Sequence, residues 1–376
     1  MPDPICYGGA SKGEQPNLLH EVGVFDHRSG LVSRPTIVLN KETNDAHDNP
    51  VLNIDKQGYI WLFSTSHGTD RPSFIHKSNQ PYDISSFERI RPMRMAGNDT
   101  VPFDNFSYLQ SHYHADHGFF HLMTHYDRGV LKYGSNKARR TISYITSEDG
   151  VNWSELKDIA HIEEGHYQTS GQHKNKVGTS FNFHPDTEHA SGLDYRTNLY
   201  YIETSDHGKS WTNAGGDPVA LPIVTRNNNA LVHNYQAEGL NVYINDVSYD
   251  SQGNPVIFYG INIYRRYGSM ADHRPCRHSP QAFSTGGEMS LWISNDQGKN
   301  WRKDAMITQN SRYNHSYSRK PVNASDDFYS FWADGDGLDP STSSLYFCTK
   351  SGIVFRLPSK MTSPAGKPEK VELKQK

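Results

Sequence analysis

The segments TSEDGVNW (146–153), TSDHGKSW (204–211) and SNDQGKNW (294–301) share the pattern Ser/Thr-x-Asp-x-Gly-x-x-Trp, with Glu148 in the acidic position of the first. Each is a turn whose chemistry can be read directly. The acidic side chain can accept hydrogen bonds from backbone N–H groups, and the glycine supplies a positive φ. The tryptophan is left to pack between neighbouring sheets. Each segment follows a strand-like run (RRTISYI, TNLYYIE, MSLWI) and precedes another. A turn recurring in that setting marks the outer hairpin of a repeated antiparallel unit.

These turns are Asp-boxes, and a second repetition accompanies them. The stretch His166–His184, HYQTSGQHKNKVGTSFNFH, reads as strands HYQTSG and VGTSFNFH around a polar turn. Antiparallel pairing sets His166 beside His184 at the open end. His47 with His67, His112 with His125, Tyr243 with Arg265 and Arg266, and Asn314 and His315 with Trp332 and Asp334 repeat the layout. Five hairpins keep polar groups at one end, which is the pattern of a shared site.

Repeats of about fifty residues with four strands each predict an all-β chain, a β-propeller whose ligands bind where strand ends converge. Five inner hairpins and one additional pair of strands can be traced, which leaves the blade number open at this point. Residues 1–17 read as a flexible start, 18–359 as one propeller domain and 360–376 as a flexible Lys- and Pro-rich tail. The runs LLHEVGVF and LVSRPTIVLN are expected to pair with C-terminal strands and close the ring.

Composition narrows the function by exclusion. A formal charge of −3 over 376 residues gives no argument for nucleic acid or a membrane surface. Cys6, Cys276 and Cys348 are odd in number, so no disulfide framework is read. No run approaches a transmembrane span, and the N-terminus lacks the basic and apolar regions of a signal peptide.

A channel lined by His, Tyr, Arg and Asn suits proton exchange and the binding of carboxylates. No paired carboxylates stand out, which counts against an ordinary glycoside hydrolase. A sialidase would want three arginines on inner strands, and only Arg265 and Arg319 are well placed, so it is the lesser reading. A carbohydrate-binding propeller without catalysis is the other. His114, His117 and His121 read as exposed turn or strand residues, and Tyr317 and Trp332 as sugar-stacking or core aromatics. His273, Cys276 and His278 in the insert ADHRPCRHSP, with His233 as a fourth ligand, could hold a structural zinc.

The segments HDNPVLNIDKQGYIWLF, EGHYQTS…KVGTSFNFHPD, RTNLYYIETSDHGKSW, AEGLNVYINDVSYDSQGNPVIFYG and YNHSYSRKPVN…FYSFWADG resemble the BNR-4 repeat proteins, and within them the propeller ulvan lyases. The resemblance covers roughly residues 40–358. It implies a secreted or periplasmic seven-bladed propeller, or a six-bladed one because the 265–286 region is short beside the family, that cleaves a sulfated, uronate-containing algal polysaccharide by β-elimination. No cofactor is expected to be required for catalysis, and the chain is expected to act as a monomer. Carried onto this chain, it makes His166, His184 and Tyr243 the base and acid, with either Tyr243 or a histidine as base. Arg265 or Arg266 would partner the uronate carboxylate. Asn49, His112, His315 and Arg319 would bind the glycan.

Overall fold

The strand Gly118–Tyr126, GFFHLMTHY, is buried along almost its whole length. Successive side chains of a strand point to opposite faces. Phe119 and Met123 pack with Trp61, Phe63 and Ile75 on one side. Phe120 and Leu122 pack with Val177, Phe181 and Tyr200 on the other. A strand covered on both faces reads as a continuous apolar run rather than an alternation. The same double burial marks Ile60–Ser64, Lys176–Phe183 and Thr197–Thr204.

The computed structural model describes residues 2–12, 16–69, 71–126, 140–186, 195–263, 288–293, 300–321, 324–336 and 341–371. They contain no α-helix, and no helix is long and apolar enough to cross a membrane. The chain divides into two compact units.

The larger unit comprises Ile5–Val22 and Thr36–Gly268. It holds three four-stranded antiparallel sheets in simple sequential order. The first is Pro50–Ile54, Ile60–Ser64, Phe74–Ser78 and Phe87–Ile90. The second is Ser107–His114, Gly118–Tyr126, Arg140–Ser147 and Lys157–Ala160. The third is Gln168–His173, Lys176–Phe183, Thr197–Thr204 and Leu231–His233. A hairpin of Leu240–Tyr249 and Pro255–Ile263 follows.

Two Asp-boxes close the outer hairpins as expected, with one correction. In the first box Asp149, not Glu148, is the cap: its Oδ1 accepts from the backbone N–H groups of Val151 and Asn152 at 2.8 and 2.7 Å. In the second, Asp206 Oδ1 accepts from Ser210 N at 2.9 Å. Gly150 and Gly208 take φ of 73° and 82°. Trp153 and Trp211 are buried in the two inter-sheet cores. Most of the third box lies outside the described residues.

The smaller unit contains Met1–Pro4, Gly23–Pro35 and Ser269–Lys376. Its main sheet joins Asn314–Arg319, Ser330–Gly335, Leu345–Cys348, Val354–Arg356 and Glu369–Lys370. Leu31–Ser33 pairs with Ala365–Gly366, so one of the two early runs does meet a C-terminal strand. The other, through Leu19–Val22, pairs instead with Thr36–Asn40 in the larger unit. Strands also form at Pro2–Ala10 and within 360–376, where composition suggested irregular chain.

Candidate active site

In the larger unit the open ends of successive hairpins carry the polar side chains, and four of them form one continuous row. His47 and His67, which flank the inner hairpin of the first sheet, stack at 4.1 Å between ring centroids. Both meet the edge of Tyr108 at 6.0 Å. Tyr108 meets Tyr167 at 5.5 Å. Tyr167 in turn lies 4.6 Å from the Arg196 guanidinium, which is equally close to Tyr243.

Local irregularities aim these groups. The pairing register slips between Ser107 and Gln110, and Tyr108 takes φ of 49°. Such a bulge re-directs a side chain at a strand end. Gly165 bridges to Arg140 with φ of 108°, and a Cβ there would stand 2.4 Å from the Arg140 carbonyl oxygen. Only glycine lets the chain before His166 approach Arg140 this closely.

Arg140 is buried and donates from Nη1 to the Tyr167 hydroxyl at 3.1 Å, with its guanidinium 4.7 Å from that ring. His184 is fully buried beside Tyr167, ring to ring at 5.2 Å. Burial, then the charges of Arg140, Arg196 and His166, push the His184 imidazole far down, to about 2. Among the described residues neither ring nitrogen makes a well-formed hydrogen bond, the Tyr195 backbone exerting only a weak pull toward protonation. Burial and the neighbouring Tyr167 and Tyr126 push the Tyr108 phenol up. The site therefore has two layers. Tyr167, Tyr243 and Arg196 are half-buried at the surface, with Arg140 and His184 buried against them.

The sequence-based candidates fall unevenly on this arrangement. His184 and Tyr243 join it. His166 sits at the open end, but its ring is fully engaged by backbone: Nδ1 donates to Asn182 O at 2.7 Å and Nε2 accepts from Ile162 N at 2.8 Å. Burial pushes it down to about 3, so it stays neutral. Asn49 is exposed at its hairpin end, its carbonyl accepting from the Thr65 hydroxyl at 2.7 Å. His112 is buried near the turn end of its hairpin, opposite Phe120, with Nε2 at 2.8 Å from Ser170 Oγ.

In the smaller unit His315 is buried and accepts from Trp332 Nε1 at 2.8 Å, while Arg319 is exposed. Trp332 is a core residue. Arg265, Arg266, His273, Cys276 and His278 lie outside the described residues, as does the Tyr317 side chain. His233 is exposed and hydrogen-bonds Glu238. His114 and His121 are buried rather than exposed, His121 between Phe63 and Trp153. Arg140, Arg196, Tyr167 and Tyr108 were not singled out from sequence. Both arginines head the strand that leads into an Asp-box, in RRTISYITSEDG and YRTNLYYIETSDHG, and that shared position was the available signal.

The protein named Ulvan Lyase-PL25 from Pseudoalteromonas sp. (strain PLSV) is 22% identical over 324 residues, covering 78% of this chain. The chain spans only 61% of that relative's length. A structure titled as a new family of polysaccharide lyase, PL25-Ulvanlyase, superposes with a TM-score of 0.68 at 16% identity, over 90% of this chain and 91% of that one. The same lyase bound to -[GlcA(1-4)Rha3S]- gives 0.68 at 15% identity over the same shares of the two chains. Polysaccharide lyase Uly1 gives 0.57 at 11% identity, over 92% and 88%. The likeness makes the stacked antiparallel sheets those of an all-β propeller. A family model described as "BNR repeat-containing family member" matches residues 32–285. The chain belongs to the BNR repeat-containing family.

Proposed function

We propose that the protein is a polysaccharide lyase that cleaves an acidic, ulvan-like glycan by β-elimination outside the cell. The observation that carries this reading is the Arg196 guanidinium held between the rings of Tyr167 and Tyr243. A uronate carboxylate seated on Arg196 would have its charge offset, which makes the C5 proton acidic. Tyr167 takes that proton as base, its oxygen already accepting an N–H from Arg140, which holds it in place. The C4–O4 bond breaks, a C4–C5 double bond forms, and Tyr243 protonates the departing O4. His184, neutral and buried, packs against Tyr167 and positions it. His166 has no ring nitrogen left for substrate and receives no proton-transfer role. The names of the relatives supply the substrate class.

Arg196→Ala tests the reading against Arg265→Ala. Loss of an electrostatic partner of this kind costs about 10²–10³ in kcat. Arg196→Ala is expected to lose that much on ulvan while Arg265→Ala loses less. The reverse ranking would move the carboxylate partner to Arg265. Equal loss of binding and turnover in Tyr167→Phe and Tyr243→Phe would instead make the row a sugar-binding groove without catalysis.

A further inference from the structure

At the far end of the row, one carboxylate orients two imidazoles. Asp45 precedes a single turn of 3-10 helix, Ala46–Asp48. His47 Nδ1 lies 2.7 Å from Asp45 Oδ1, and His67 Nδ1 lies 3.0 Å from Oδ2. A carboxylate only accepts, so each ring carries a proton on Nδ1 and donates it there. Burial alone would raise the Asp45 carboxyl, but hydrogen bonds from His47 and His67 outweigh it and hold the group ionised.

The surrounding charges are already balanced. Arg71 Nε and Nη2 donate to Asp48 at 2.8 and 2.9 Å, and Nη2 also reaches Asp45 at 2.9 Å. Lys41 Nζ stands 3.9 Å from Asp48. Two cations thus offset two carboxylates, and nothing in the cluster calls for a positive imidazole. A ring whose one proton is on Nδ1 keeps a lone pair on Nε2. With both Nδ1 atoms turned to Asp45, both Nε2 atoms face away from it. The rings are 18° from parallel with centroids 4.1 Å apart, so these lone pairs run side by side rather than to one point. The imidazole side chains are 53% and 39% exposed, and among the described residues neither Nε2 has a hydrogen-bond partner.

We propose that His47 and His67 form a paired acceptor for two neighbouring hydroxyl groups of a glycan ring, with Asp45 as the positioning residue that fixes both tautomers. Neighbouring hydroxyls leave a sugar ring from adjacent carbons, so each can donate to its own nitrogen across the stack. Two lone pairs repel a sulfate or carboxylate, so the subsite selects a ring with free hydroxyls. Tyr108, edge-on to both imidazoles, links the pair to Tyr167 and so to Arg196. The row thus reads charge at one end and hydroxyls at the other. The assignment rests on the glycan reading above but not on the elimination chemistry.

The test is calorimetric titration with size-fractionated ulvan oligosaccharides in a Tyr167→Phe background, which stops turnover. His47→Phe and His67→Phe keep the stack and lose the acceptor, and each is expected to weaken binding on the order of fivefold. His173→Phe, at the turn end of its hairpin, is expected to bind as its parent does. Asp45→Asn keeps both rings, but its amide can accept from only one of them, so it too is expected to weaken binding. Unchanged binding in both histidine variants, or no binding by the parent, overturns the proposal. Should a variant fold poorly by circular dichroism, nitrogen-15 resonances of the wild-type rings decide it. Protons on Nδ1 of both rings support the pair, and a proton on Nε2 alone in either ring refutes it. Weakened binding without any ultraviolet rise from the wild type would remove the lyase and leave the subsite, and a rise with unchanged binding would do the reverse.

Discussion

At the scale of single residues, burial separates histidines that could do chemistry from those that hold the frame. His166 makes two hydrogen bonds to backbone inside a dry site. Removing it strands an N–H and a carbonyl, each costing on the order of 1–3 kcal/mol. His166→Ala is therefore expected to lower the unfolding free energy by about 2–5 kcal/mol in denaturant titration. Unchanged stability would contradict this structural role of His166. In sequence this distinction was invisible, since a histidine at a strand end reads the same whether its ring meets water or a carbonyl. Tyr243 and His184 were legible because their hairpins were. Arg140, Arg196 and Tyr167 were not, because their meeting depends on contacts between sheets that no local period encodes.

At the scale of elements, the Asp-box was the most legible feature, and the geometry corrects it by one residue. Asp149 lies one position later than the shared pattern suggests, and Ser147 Oγ accepts from the Gly150 N–H at 2.8 Å. In the second box Thr204 Oγ1 does the same for Gly208, at 2.9 Å. The first turn is thus one residue tighter, and the acidic group shifts with it. Asp149→Ala should cost about 1–2 kcal/mol by the measure of other side-chain caps, and Glu148→Ala a few tenths at most. Thermal unfolding of the two variants checks the assignment, and a larger loss at Glu148 would reverse it. The inner hairpins were legible as hairpins, but the ends were misjudged at His112. The Ser107–His114 strand runs through it, so His112 falls near the turn rather than at the site.

At the scale of the whole molecule, buried neutral histidines set the response to acid. His112 and His166 are pushed down by burial to about 4 and 3. The unfolded chain binds protons at these residues from about pH 6.5 downward while the folded chain does not. Stability should therefore fall below that pH, by up to about 1.4 kcal/mol per pH unit for each histidine. His27, in the smaller unit, has the opposite sign. Burial pulls it down, but hydrogen bonds to Asp327 and Asp3 outweigh that and raise it. Its contribution is present below the unfolded pKa and is lost as pH rises through the raised folded value. The difference in melting temperature between wild type and His27→Ala should shrink with rising pH, and a difference that grows would contradict the assignment. The central claim is elimination at the tyrosine and arginine row, and ultraviolet absorbance during incubation with ulvan tests it most directly. Elimination leaves a conjugated, unsaturated uronate that absorbs, so the account predicts a rise for the wild type and none for Tyr167→Phe. Glycan cleavage without any rise, or an equal rise in both proteins, would contradict it.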